Sequence, residues 1–266
     1  GAVDLALLRK AGSRYRKNLS KFDALQNDMA GRGTTYLFDI MDHFDLLPVE
    51  NFRYGKHPEA HKLADDIWKP KFDRRGPDGC WYGCTMACAH GIADHILRTG
   101  PYAGKPVFVD GPEYETLGGV GSNLGIYDPS DMLEMNFYCD TYMIDTISFG
   151  TSMAFVMECY EHGILNKERT GGLDLSWGNA DAVLEVIHQM ARGEGFGLVA
   201  GQGIRSMKKV FSEKYGADEG FLQDIGMEVK GLEFSEYVTK ESLAQQAGYA
   251  MANKGPQHDE AWLIFM

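Results

Sequence analysis

Cys80-Trp-Tyr-Gly-Cys84-Thr-Met-Ala-Cys88, followed at Gly111-Pro-Glu113-Tyr-Glu115 by two carboxylates on a glycine–proline turn, is the stretch from which the rest of the chain is read. Three of the five cysteines stand in this short run. Thiolates so closely spaced suit an iron–sulfur cluster, whose irons take sulfur donors from one folded-back loop. Zinc stays open as an alternative, because His90 would complete a Cys3His set, although structural zinc sites usually spread paired ligands over a longer separation. So does the plain reading of three small residues packed in a helix. A CxxxCxxC pattern is excluded, since Ala87 stands where its third cysteine belongs.

At 266 residues the chain is long enough for one large or two smaller domains with ample core. An odd cysteine count with three clustered argues against a secreted disulfide framework and for a reducing cytoplasm. No apolar run is long enough to span a bilayer. A net charge of −12 makes nucleic acid and anionic membrane poor partners. The local exception is Lys69-Pro-Lys71-Phe-Asp-Arg74-Arg75, directly before the cysteines. Ala261-Trp-Leu-Ile-Phe-Met266 ends in bulky hydrophobes, and Gly1 is not an initiator methionine, so a piece of a longer protein is expected.

Apolar periodicity predicts a mainly helical protein with few short strands. Residues 2–29 read as one long helix or two, and Thr34 or Thr35 is expected to cap a helix running to Phe44. A short helix is expected over His61–Trp68, and the second half of Cys80–Leu97 can be helical. Pro106–Val109 reads as an extended run, and Ser130 as the N-cap of the next helix. Asp145 is placed to cap a helix over Thr146–His162 that Gly163 ends. Asn179 starts another through Arg192, Leu198–Tyr215 reads as a further helix, and Met227–Phe234 alternates as a strand does.

The segment Val109–Leu165 resembles the tungsten-containing aldehyde ferredoxin oxidoreductase family. The resemblance is carried by Gly111-Pro-Glu-Tyr-Glu-Thr-Leu117, Gly121-Ser-Asn-Leu-Gly-Ile126, Cys139-Asp-Thr-Tyr-Met-Ile-Asp-Thr-Ile-Ser148 and Ala154-Phe-Val-Met-Glu-Cys-Tyr-Glu-His-Gly-Ile-Leu165. Weaker similarity runs from about residue 10 to about residue 258. It implies that residues 1–140 form the family's second domain, with the cysteine loop and acidic turn, and that 141–266 form part of its third. It further implies a [4Fe–4S] cluster on Cys80, Cys84 and Cys88, with the fourth ligand outside this chain. A tungsten or molybdenum bis-pterin is implied beside Asp140, Ile144, Asp145 and Thr146. Glu115 corresponds to the family's carboxylate beside the metal, with Glu113 behind it. The activity implied is oxidation of an aldehyde to a carboxylic acid, with electrons passing through the cluster to ferredoxin or a partner subunit, in a protein that can be a homo-oligomer. The alternatives are low-potential reduction of an aromatic coenzyme A thioester, and a helical metal-binding module without catalysis.

Departures from the family pattern matter. The first cysteine gap holds three residues where the family has two, and Met143 stands where the family's pterin motif has glycine, a residue suited to positive φ. The family's active-site histidine falls at Gln245, which cannot shuttle a proton. Gly118-Gly119-Val-Gly121 lacks dinucleotide-binding spacing, so close backbone approach is expected there, to another segment or to a cofactor. Cys139 and Cys159 lie in helical patterns as buried thiols.

Overall fold

The computed structural model describes residues 3–26, 28–73, 79, 84–239 and 242–261. It is mainly helical, with two small antiparallel hairpins. Helix α1 (Leu5–Gln26) starts at Asp4, whose carboxylate accepts the Ala6 and Leu7 N–H groups at 3.0 Å. Its apolar stripe, including Leu5, Leu8, Tyr15 and Phe22, is more than half exposed. Helix α2 (Tyr36–His43) is not capped by a threonine side chain. Thr34 and Thr35 instead reach away, Thr34 donating to the Glu113 carboxyl and accepting the Tyr114 N–H, and Thr35 pairing with Asp65, because polar groups buried there need partners. Between residues 60 and 68 the chain forms two short turns, Ala60–Leu63 and Asp65–Trp68, broken by extended Ala64.

The region after the cysteines departs from expectation. Gly91–Ile96 is not helical; it is strand β1, paired antiparallel with β2 (Pro106–Asp110), so that Gly91 lies opposite Asp110 and Ile96 opposite Pro106. Ile92 and Ile96 with Val107, Phe108 and Val109 on the partner favour pairing once both segments are present, and Gly91 leaves room for the Phe108 ring. The hairpin delivers the chain to the acidic turn at residues 111–115.

Helix α3 (Pro129–Tyr142) is capped by Asp128, not Ser130. Asp128 accepts the Ser130 and Asp131 N–H groups, and Pro129 takes the first helical position, where its missing N–H costs nothing. Helix α4 (Thr146–Glu161) starts where predicted, with Asp145 accepting Ser148 N–H at 2.8 Å. Every residue from Phe149 to Cys159 is buried, so α4 is the central element of the core. A Cβ on Gly150 would sit 2.5 Å from the Gly119 carbonyl carbon, and one on Gly118 or Gly119 would meet Glu236 at 2.8 Å. The glycine-rich stretch therefore serves helix–backbone packing; its neighbours at these positions are protein atoms.

Helix α5 (Ala180–Arg192) is capped by Asn179 and ended by left-handed Gly193, as its sequence predicts. The expected helix over 198–215 is broken: Gly203 takes φ 77°, and α6 spans only Ile204–Tyr215. Helix α7 (Glu219–Ile225) follows. A tight hairpin joins β3 (Glu228–Val229) to β4 (Leu232–Glu233) through Lys230 and Gly231, both at positive φ, the geometry that two-residue hairpin turns demand. The last described helix is α8 (Leu243–Met251). Both α7 and α8 went unread in the sequence, being short and weakly periodic. One hydrophobic cluster runs from Met29 through Tyr237. No described helix is long and apolar enough to cross a membrane.

Candidate active site

A cavity of about 560 Å3 opens where the acidic turn, the α3–α4 connection, the cysteine loop and the segment after β4 meet. Glu113 and Glu115 lie half-buried in its wall, while Asp140 and Asp145 are exposed at its rim. Glu113 sits in an extended conformation and Glu115 in the short helical turn that follows, so the two carboxylates take separate partners.

Glu113 accepts a hydrogen bond from Thr34 Oγ1, which in turn accepts the Tyr114 N–H at 2.8 Å. Burial, and then the charge of Asp110, push the Glu113 carboxyl above its ordinary range. Asp110 is the carboxylate whose charge acts on Glu113.

Glu115 is held from both sides. One oxygen accepts the Glu236 backbone N–H at 2.8 Å, and the other lies 2.7 Å from Nδ1 of His258. Burial alone would lower the His258 pKa, but its bond to Glu115 prevails, so the imidazole stands above its ordinary value. Ser235 Oγ lies 3.0 Å from the same Nδ1. His258, not residue 245, is the histidine of this cavity. Gln245 is completely buried, and its amide donates to the Ala261 carbonyl. The sequence signal for His258 was the Gly255-Pro-Gln-His258 turn, which brings an imidazole back from a helix end.

Asp140 closes the rim. Asn136, one turn earlier on α3, donates to Asp140 Oδ2 at 2.9 Å and to the Asp110 carbonyl at 2.6 Å. Burial first, then the Asp110 charge, push the Asp140 carboxyl up to about 6. Asp145 and Thr146 also line the cavity, whereas Ile144 packs against the core and Ile147 takes a place in the lining. Between them Met143 adopts φ 58°, ψ 39°, and the Ile144 N–H returns to the Cys139 carbonyl. The positive φ that suits glycine is therefore kept, with an exposed methionine carrying it.

Cys84 and Cys88 are half-buried on a non-helical loop that turns through left-handed Ala87, and Met86 and Ala89 of that loop line the cavity. The reading of small residues packed in a helix is thereby excluded for this pair. Cys80, Arg74 and Arg75 lie outside the described residues. His90 is stacked on Phe72, with Nε2 3.2 Å from the Met29 carbonyl, so that ring nitrogen is already engaged. Among the described residues no group of three or more His, Cys, Asp or Glu side chains is placed to hold a metal ion. The donor chemistry of the rim does fit a pterin: carboxylates at Asp140 and Asp145 can accept from an amino group and a ring N–H side by side.

Behind Glu115, Glu236 is completely buried. Its Oε1 lies 2.9 Å from Thr151 Oγ1, and its Oε2 accepts from Asn123 Nδ2 at 3.4 Å. Tyr114 OH donates to its backbone carbonyl. Nothing in the helix and strand periodicity marks this residue, because it lies in an irregular segment after β4.

Comparison with known proteins gives this arrangement a context. Residues 10–266 match the sequence model of the family described as aldehyde ferredoxin oxidoreductase, domains 2 and 3. The tungsten-containing aldehyde ferredoxin oxidoreductase of Pyrococcus furiosus is 32% identical over 251 residues, covering 92% of this chain and 38% of that protein. The aliphatic sulfonate oxidoreductase, WOR-like subunit, of the same organism is 30% identical over 179 residues, covering 66% of this chain and 27% of that one. Among solved structures, the BamBC active-site complex of benzoyl coenzyme A reductase shares the fold, with a TM-score of 0.56 at 18% identity over 76% of this chain and 28% of that one. The chain spans less than two-fifths of the length of these curated relatives. With a match that extends across nearly all of its length, the chain belongs to the aldehyde ferredoxin oxidoreductase family, within the part that forms domains 2 and 3.

Proposed function

We propose that this chain supplies one wall of the active site of a tungsten (or molybdenum) bis-pterin oxidoreductase that converts an aldehyde to its carboxylic acid. The observation that carries this reading is the Glu115–His258 pair at 2.7 Å, set in a cavity bordered by the cysteine loop on one side and the Asp140–Asp145 turn on the other. When bound, the pterin metal would supply the two-electron redox chemistry. Asp140, Asp145 and Thr146 would hold the pterin edge, and Cys80, Cys84 and Cys88 would supply three ligands to a [4Fe–4S] cluster.

The residues of this chain handle the proton. Aldehyde oxidation releases protons and needs a base in contact with the reacting group. One Glu115 oxygen accepts the Glu236 N–H and the other lies against Nδ1 of His258, so the carboxylate is oriented without first reorganising. Glu113, tied to Thr34 and held toward its neutral form by burial, orders the turn that carries Glu115. Electrons would leave through the cluster to ferredoxin or a partner subunit.

Glu115→Gln in the complete polypeptide is the test. Turnover of an aldehyde should fall by about 10^2 or more, the usual scale for a lost general base, while tungsten and iron content stay unchanged. Undiminished turnover overturns the assignment. The shared fold with the benzoyl coenzyme A reductase complex supports a second reading, reduction of an aromatic thioester. Assaying the wild-type protein with an aldehyde and with benzoyl coenzyme A separates the two.

A further inference from the structure

We propose that Glu236 is a buried neutral carboxylic acid whose hydroxyl donates to Thr151, and that in this form it positions Glu115 without setting a second charge against it. The inference deepens the reading above, since it rests on Glu115 and His258 as the proton-handling pair.

The argument begins with counting hydrogens. Thr151 Oγ1 lies 2.9 Å from the Phe234 carbonyl and 2.9 Å from Glu236 Oε1. A threonine hydroxyl has one hydrogen to donate and two lone pairs to offer. The carbonyl can only accept, so it takes the hydrogen. A proton on Oε1 gives the contact to Glu236 a donor of its own, so that Thr151 need not divide one hydrogen between two acceptors. The other oxygen fits this assignment. Asn123 Oδ1 accepts the Phe52 N–H at 3.0 Å, which fixes the amide orientation and turns Nδ2 toward Glu236 Oε2. Oε2 is therefore the carbonyl oxygen, and Oε1 the hydroxyl.

The surroundings agree. Glu236 is completely buried, and the charged groups acting on it are the carboxylates of Glu115 and Asp145. Burial and those charges raise its pKa well above the ordinary value, while Thr151 and Asn123 oppose the shift. The phenols of Tyr114 and Tyr249 also face it, and both are themselves raised by burial. Asp65 provides a contrast within the molecule. Thr35 stands between the Arg32 carbonyl and Asp65 Oδ1 in the same way, at 2.9 Å each. There, however, the Arg32 guanidinium lies 2.8 Å from Oδ2, whereas the charged groups acting on Glu236 are carboxylates.

Function follows from the neutral form. Glu236 offers its backbone N–H to Glu115 Oε2, its backbone carbonyl to Tyr114, and its side chain to Thr151 on α4. It thus ties the acidic turn to the central helix. A second buried anion at this place would repel the Glu115 carboxylate, whose charge already acts on it. An uncharged acid gives the same anchorage and leaves Glu115 as the partner of the imidazole.

The test is infrared and histidine NMR spectroscopy on the complete polypeptide at pH 8, with neither readout depending on turnover. Wild type should show a protonated-carboxyl C=O band that Glu236→Gln lacks, whereas Asp65→Asn should lose only carboxylate absorption. The glutamine amide can accept from Asn123 and donate to Thr151, so the His258 titration midpoint should move by less than about 0.3 of a pH unit. If Glu236→Gln removes carboxylate absorption instead, or lowers the His258 midpoint by about one unit, the proposal is wrong. Should that variant fail to fold, Thr151→Val serves: the Glu236 band should shift to higher frequency on losing its acceptor, and an unmoved band overturns the inference. Loss of aldehyde turnover in Glu115→Gln tests the functional reading separately, so either idea can fail alone.

Discussion

His258 and Met143 are the two residues at which this chain is best tested on its own terms. The imidazole has a folded-state pKa raised above its ordinary value by Glu115. Its stabilising contribution is therefore complete below about pH 6.5 and is lost as the pH rises through the folded value. Wild type minus His258→Gln, compared by urea denaturation at pH 6 and pH 9, should show the wild-type advantage shrinking at the higher pH. An advantage that grows with pH would mean the pair is not ionised as described. Met143 is a different case: it occupies left-handed space at 93% exposure, so its side chain packs against nothing that truncation would cost. Met143→Gly should raise stability by about 0.5–1 kcal/mol through relief of that conformation, read as a higher urea midpoint. A lower midpoint would show that the methionine contributes a contact.

Helix α4 and the 117–121 turn are the elements that fix the site in space. Their closest approach is glycine on glycine, and a methyl group at Gly150 would meet Gly119 backbone at 2.5 Å. Backbone cannot step aside as a flexible side chain can, so α4 must move away from the turn. Gly150→Ala should cost about 1–3 kcal/mol and loosen Glu115 through the displaced Thr151–Glu236 anchor. The expected outcome is a lower denaturation midpoint together with a lower turnover number, and a fully stable variant would contradict the packing. The β1–β2 hairpin plays the matching role on the other side, since Gly91 opposite Asp110 sets where the chain enters the acidic turn.

At the scale of the whole molecule, the proposed function raises the question of where an electron acceptor would dock. The chain carries a net charge of −12, yet Lys69, Lys71, Arg74 and Arg75 cluster just before the first cysteine, and the two lysines are exposed. An acidic ferredoxin approaching this surface would meet general repulsion and a local attraction, which acts on association rate within a Debye length of about 8 Å at physiological salt. Reversing Lys69 and Lys71 to Glu in the complete enzyme should slow ferredoxin reduction several-fold at low salt, in the range such steering gives. Reduction of a small neutral dye should stay near wild type. Equal losses with both acceptors would assign the segment to support of the cysteine loop instead.

What the sequence determined by itself were the features written in local chemistry. Asp145 and Asn179 cap their helices and Gly193 ends one, because capping and turn geometry need only near neighbours; that Glu113, Glu115, Asp140 and Asp145 border one cavity is a tertiary fact. Residues 91–96 misled, since a strand exists only once its partner is found at 106–110. The same holds at the site. His258 lies more than a hundred residues from Glu115, and Glu236 reaches Glu115 through its backbone and Thr151 through its side chain. No periodicity records such contacts. Only the folded core, by burying Glu236 and turning His258 back across the cavity, decides which carboxyl group meets the imidazole.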